Sequence, residues 1–166
     1  HDKEDVYFLK LLSEIDIIKQ NFADFDLNKT EITDLKKYCN YLPDRLIPFF
    51  EGAIKNHHYT KLALKEFQKP TLDLKKIGEL MNAHHAVLRD LLKITVPRID
   101  AMINAALKAG AYGAKIVGSG GGGSIVVLAE PGNEAPIVDA ILAAGAIQAY
   151  TVTVDPGVRT IANSKI

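Results

Sequence analysis

The sequence is short of several things, and each shortage excludes something. One cysteine, Cys39, occurs in 166 residues, so no disulfide can form within the chain. That fits a reducing compartment, and a cytoplasmic location is expected. Tryptophan is absent. Net charge is zero and no basic block stands out, which argues against a nucleic-acid surface. No apolar run approaches the roughly 20 residues of a membrane helix, so no membrane partner is expected. The opening "HDKEDVYFLKLL" lacks a starting methionine and also the apolar core of a signal peptide. The simplest expectation is a fragment of a longer chain.

What is there is a globular balance, 48% apolar and 24% charged. The first two thirds read as helices. From about Lys3 to Phe22, Val6, Leu9, Leu12, Ile15 and Ile18 recur at helical spacing. Thr30 to Tyr38 reads as a short helix capped by Thr30. A longer one reaches about Gln68, with Pro43 opening it and Pro48 near its first turns. The next runs from about Leu74 to Leu92, capped by Asp73, with a stripe of Ile77, Leu80, Met81, His84, Leu88 and Leu91. Another spans about Pro97 to Ala109, with Thr95 as N-cap and Ile99, Met102, Ile103, Ala106 and Leu107 on one face. Gly110 stands where a left-handed residue ends a helix.

The last third changes character. "GAKIVG" and "SIVVLAE" read as strands, "NEAPIVDAILAAGA" as a helix, and "QAYTVTV" as a third strand. The tail from Asp155 reads as a last strand or a loose end. The expected class is α+β: a helical segment, residues 1–72, followed by a ferredoxin-like β-α-β-β-α-β unit, residues 73–166. The unit's first strand is not visible. It could lie upstream, be borrowed, or come from the tail.

Seven of twelve glycines lie between Gly110 and Gly123. Glycine costs roughly 1 kcal/mol of ordering entropy relative to alanine, so a plain hairpin turn does not justify the run. Bare backbone N–H groups in succession make an anion-binding concavity. A Walker loop needs lysine after Gly123, where Ser124 stands. A dinucleotide-binding loop needs a helix directly after it, where "SIVVLAE" is a strand.

Other candidates carry less. His57-His58 and His84-His85 are adjacent pairs, about 100° apart on a helix, so neither makes a metal clamp. His84 lies on the apolar stripe and is expected to be a satisfied, partly buried ring, with His85 beside the stripe and nearer solvent. Asp24, Asp26 and Asn28 imitate a calcium loop, but Lys29 and Leu35 occupy the positions of its glycine and bidentate acid. Arg89-Asp90 and Arg98-Asp100 read as surface charges or local pairs worth little, and Arg159 reads as a surface residue, with closure of a substrate cleft as the other reading.

"GELMNAHHAVLRDLLKITVPRIDAMINAALKAGAYGAKIVGSGGGGSIVVL" resembles the C-terminal domain of the GHMP kinases (galacto-, homoserine, mevalonate and phosphomevalonate kinases). The resemblance rests on Ala105 to Lys115 followed by Gly118 to Gly123, and covers about Lys76 to Arg159. "HHAVLRD" and "GAYGAK" are most similar to the galactokinase branch. The pure-glycine loop is closer to mevalonate or heptose-phosphate kinases, and Ser124 stands where galactokinases usually carry cysteine. The resemblance implies transfer of the γ-phosphoryl of ATP, with Mg²⁺, to a small-molecule substrate, a sugar hydroxyl in the galactokinase-like case. It implies an active-site loop of Gly118, Ser119, Gly120, Gly121, Gly122, Gly123 and Ser124. It also implies an N-terminal domain that holds most of the ATP and metal contacts and the catalytic aspartate. That domain's P-x-x-x-G-L-S-S-S motif does not occur here. The chain is therefore expected to contain no catalytic residue, to be inactive alone, to have a mobile glycine loop, and to expose an apolar patch that allows self-association. Two readings from other classes stay open: a free-standing ferredoxin-like anion-binding or regulatory domain, and an interaction module using the helical front.

Overall fold

A computed structural model describes residues 16–154. Val6, Leu9, Leu12 and Ile15, and the tail from Asp155 including Arg159, lie outside the described residues. Helix α1 is Asp16–Asn21 and α2 is Leu35–Cys39, entered through a 3₁₀ turn at Ile32–Asp34. Helix α3 is Ile47–Phe67, α4 is Leu74–Asp90 and α5 is Pro97–Lys108. Strands β1, Gly113–Val117, and β2, Ser124–Leu128, form an antiparallel hairpin, and α6 is Glu134–Ala143.

The helix boundaries follow local chemistry. Pro48 sits in the first turn of α3, where its missing N–H costs nothing. Asp73 caps α4, its Oδ1 accepting from the Lys76 amide at 3.0 Å. Gly110 and Gly145 follow α5 and α6 with φ of +101° and +104°. Two expected caps are different. Thr30 donates to the Asp26 carbonyl, and the Ile32 turn is instead closed by Asp34 accepting from the Glu31 amide. Thr95 is one residue too early to cap α5, and donates to Asp100 Oδ2 at 3.1 Å.

Two apolar clusters result. Ile18, Phe25, Leu35, Leu42, Leu46, Phe50 and Ile54 fill the front. Leu88, the α5 face of Ile99, Met102, Ile103 and Ala106, the β1 residues Ala114 and Ile116, and Ile137 and Ile141 of α6 fill the rear. Helix α3 packs along α4 and so joins them. Gly52 admits Leu92 there: a Cβ on Gly52 would lie 2.6 Å from Leu92 Cδ2.

The α+β class is as expected, and the third strand is not. Gln148–Val154 forms no ladder with any described strand, and Tyr150, Val152 and Val154 are exposed. Alternation specifies which face a side chain would take. It does not put a partner strand within reach. The described sheet is thus one hairpin, β1-β2.

Helix α4 and β1 touch backbone to backbone. A Cβ on Gly113 would stand 2.3 Å from the Gly78 carbonyl oxygen, and one on Gly78 would stand 2.4 Å from the Tyr112 carbonyl. Gly113→Ala is expected to destabilise the chain by about 1–3 kcal/mol in urea unfolding, because neither backbone can yield. Gly132→Ala, with positive φ but open space around it, is the control and should cost about 1 kcal/mol. Equal shifts would contradict the close approach.

Candidate functional site

The loop Gly118 to Gly123 connects the last paired residues of the hairpin, Val117 and Ser124. Its five glycines all have φ between +74° and +137°. L-residues rarely adopt such values, so the glycine run is a backbone requirement.

The middle of the loop is fastened. Gly121 N–H donates to the Ile94 carbonyl at 2.8 Å. A Cβ on Gly120 would stand 2.4 Å from that same oxygen. Ile94 is set by the end of α4: Lys93 takes a left-handed φ of +51°, and Ile94 N–H returns to the Leu88 carbonyl at 3.0 Å. On either side the loop is bare. A Cβ on Gly118 or Gly122 would meet nothing within 4 Å. Among the described residues no acceptor takes the N–H of Gly118, Ser119, Gly120, Gly122 or Gly123. Val117 to Ser124 line an open concavity of about 330 Å³. The loop residues singled out in the sequence therefore come together around one hollow, with Gly121 committed to the scaffold. An anion suits backbone donors of this kind.

Residues the sequence reading missed hold the hairpin under that loop. Asn82 of α4 accepts from Ala114 N–H at 2.9 Å and donates to the Tyr112 carbonyl at 3.1 Å. His85 Nδ1 accepts from Ile116 N–H at 3.4 Å, and its Nε2 faces Asp100 Oδ1 at 3.3 Å. Together these contacts put the ring proton on Nε2. His84 is half-buried, as expected, but His85 is 3% exposed and not the ring nearer solvent. The α4 stripe was counted on apolar side chains. The Gly78, Asn82 and His85 face meets strand backbone, which asks for small and polar residues. Asp100, expected at the surface, is the partner that orients His85. Arg98 donates instead to the Gly145 carbonyl at 2.8 Å, whereas Arg89 and Asp90 do form an exposed pair.

The sheet face turned away from α5 carries Lys115, Val117, Ser124 and Val126. Burial lowers the Lys115 ammonium pKa, and Lys115 donates to the Ile116 carbonyl at 2.9 Å. Burial, with Lys115 and His85 nearby, also lowers that of His84. Alternation along "GAKIV" was the available signal for Lys115. Among the described residues, no three His, Cys, Asp or Glu side chains converge to hold a metal ion. No described helix is long and apolar enough to cross a membrane.

A helical front and a hairpin backed by helices thus hold a glycine loop between two antiparallel strands. Residues 63–148 match the family described as GHMP kinases C terminal, and the chain belongs to that family. It is 33% identical over 131 residues to the mevalonate kinase of Pyrococcus horikoshii, covering 79% of this chain and 38% of that protein. It is 32% identical over 123 residues to the galactokinase of Chloroflexus aggregans, covering 74% of this chain and 31% of that protein. The crystal structure of Lactococcus lactis galactokinase complexed with galactose superposes with a TM-score of 0.77 at 25% identity, over 86% of this chain and 37% of that one. This chain thus spans between three tenths and four tenths of these proteins' lengths.

Two predictions follow from the fastening. Gly120→Ala should lower the unfolding free energy by about 2 kcal/mol or more, combining a forced φ with a backbone clash. Gly122→Ala should cost only about 1 kcal/mol, and indistinguishable urea midpoints would contradict the anchor. The second concerns pH. Burial pushes the His85 pKa below the ordinary histidine range despite Asp100, and His84 moves the same way. The unfolded rings take up protons near pH 6.5. The unfolded state therefore binds more protons below that pH, and stability falls on acidification until the folded rings also protonate. The Tm should drop between pH 7.5 and 5.5, above the window in which carboxylates titrate. His85→Gln should flatten the drop, and a Tm that rises on acidification would contradict the assignment.

Proposed function

We propose that this chain is the C-terminal domain, residues 1–166, of an ATP-dependent kinase whose glycine loop closes the phosphate end of the active-site cleft. The observation that carries the reading is the loop: five amides without an acceptor among the described residues, open space beside Gly118 and Gly122, and one backbone bond from Gly121 to Ile94 fixing its path. Phosphoryl oxygens are the anions such a cradle suits. ATP would supply the phosphoryl group, and Mg²⁺ would spread its charge during transfer.

In this reading the chain's own residues bind and orient. Gly118, Ser119, Gly120, Gly122 and Gly123 offer N–H groups, and the Ser119 and Ser124 hydroxyls add donors at the two ends. Ile94 and the end of α4 keep the loop from collapsing when no ligand is present, so little reorganisation accompanies binding. The metal ligands, the proton acceptor and most ATP contacts belong to the N-terminal domain.

The proposed acceptor is a sugar hydroxyl, supported by the superposition on the galactokinase over most of the chain. Mevalonate is the second reading, supported by the identity to the Pyrococcus protein. The test is a coupled ATPase assay on the full-length polypeptide with galactose, mevalonate and a heptose phosphate. Galactose-dependent turnover is expected, and none from the 166-residue chain alone. Gly122→Val in the full-length enzyme places a side chain across the amides and should lower kcat by about 10- to 100-fold. Turnover by the isolated chain would overturn the two-domain reading. Tight triphosphate binding by the isolated chain without turnover would favour an anion-binding module.

A further inference from the structure

Two tethers set the path of the glycine loop, and both run back to one carboxylate. The first is at the entrance. Ile116, two residues before Gly118, gives its N–H to His85 Nδ1 at 3.4 Å, and the other ring nitrogen faces Asp100 Oδ1 at 3.3 Å. The second is in the middle. Gly121 N–H is held by the Ile94 carbonyl at 2.8 Å, and that carbonyl belongs to the planar peptide group shared with Thr95. Thr95 donates its hydroxyl to Asp100 Oδ2 at 3.1 Å. Asp100 is itself fixed in the first turn of α5, its amide bonded to the Val96 carbonyl at 3.1 Å.

A carboxylate accepts at both oxygens and donates at neither. It therefore orients both donors at once. The His85 ring presents its Nε2–H to Asp100, which leaves Nδ1 to accept from Ile116. The Thr95 hydroxyl turns towards α5, which holds the Ile94–Thr95 peptide in place. Bonds to an ionised acceptor are roughly twice as strong as neutral ones, and these lie mostly out of water: the His85 side chain is 4% exposed and that of Asp100 26%. An acidic residue in the first turn also suits the helix dipole. That role needs neither a histidine from α4 nor a threonine from the connection before α5.

We propose that Asp100 is the positioning residue of the glycine loop, its two oxygens holding the entrance and the middle of the loop in one fixed relation through His85 and Thr95. This rests on the kinase reading above. Asp100 acts through the loop: it keeps the amides of Gly118, Ser119, Gly120, Gly122 and Gly123 aimed at one place before a phosphate arrives. The ring gives the arrangement an acid limit. Around it stand Asp100 of α5, Lys115 of β1, and Arg89 and His84 of α4. A proton on Nδ1 turns that atom into a donor and expels the Ile116 amide. Asp100 favours the protonated ring, whereas burial, Arg89 and Lys115 oppose it. Asp100 thus both builds the entrance tether and sets the pH at which it is lost.

The test is amide exchange followed by NMR on the 166-residue chain, with kinetics on the full-length polypeptide. Asp100→Ala should lower the protection of Ile116 and Gly121 together, each by about tenfold or more. Asp100→Asn should keep both, since its carbonyl accepts from His85 and its NH₂ group donates to Thr95 Oγ1. Thr95→Val keeps the test open if Asp100→Ala does not fold: it should loosen Gly121 and spare Ile116. In Asp100→Asn the His85 ring should titrate at lower pH than in the unsubstituted chain, and the Ile116 amide should hold its protection to lower pH with it. A residue that only starts α5 moves neither. In the full-length polypeptide at pH 8, with ATP and galactose or mevalonate, Asp100→Ala should lower kcat by about tenfold or more and Asp100→Asn should restore most of it. Loosening of Ile116 alone, or of the first-turn amides of α5 alone, would overturn the proposal, and so would an unchanged kcat in Asp100→Ala. Both amides loosened, in a polypeptide whose full-length form transfers no phosphoryl group, sinks the kinase reading alone. Transfer with both amides unmoved sinks the positioning role alone.

Discussion

A helix stands where a neighbouring strand would stand. Along the outer edge of β1, Asn82 and His85 of α4 satisfy the Ala114 and Ile116 amides, and Gly78 lets the two backbones meet. An isolated two-stranded hairpin is marginal in water. This one is held because its outer edge is bonded and its inner face, Ala114 and Ile116, is buried on α5. Buried backbone donors need partners, and here side chains provide them. The orientation of His85 depends in turn on Asp100, so α4, α5 and β1 are tied at one point.

That fixed frame is what gives the glycine loop a definite position. The same α4 that seals β1 ends at Asp90, and the chain then turns through Lys93 and presents the Ile94 carbonyl to Gly121. A glycine run with no such tether would lose more entropy on ordering around a ligand. With the tether, five amides have no acceptor among the described residues while the loop path is set. The stability of the hairpin and the position of the proposed phosphate cradle therefore share the end of one helix.

Much of this was legible in the sequence because it is local. Pro48, Asp73, Gly110 and Gly145 each mark a helix end through their own backbone preferences. The stripe Ile99, Met102, Ile103, Ala106 in α5 follows the 3.6 period and is buried throughout. The loop announced itself by glycine density. What escaped was non-local. Asn82 and His85 serve a strand thirty residues away, and nothing in the α4 periodicity marks a face that meets amides. The Ile94 anchor is a carbonyl, which no side-chain pattern reveals. Gln148–Val154 was read as a strand from its alternation, and it has no ladder among the described strands, because a ladder needs a neighbour that local sequence does not name.

The most direct test of this account is amide exchange in the 166-residue chain carrying Asn82→Ala. If the α4 seam positions the loop, the Ala114 and Gly121 amides should both lose protection, each by about tenfold or more for the roughly 1–3 kcal/mol of an unpaired buried group. If Ala114 loosens while Gly121 keeps its protection, the hairpin seam and the loop anchor are independent, and the central claim is wrong.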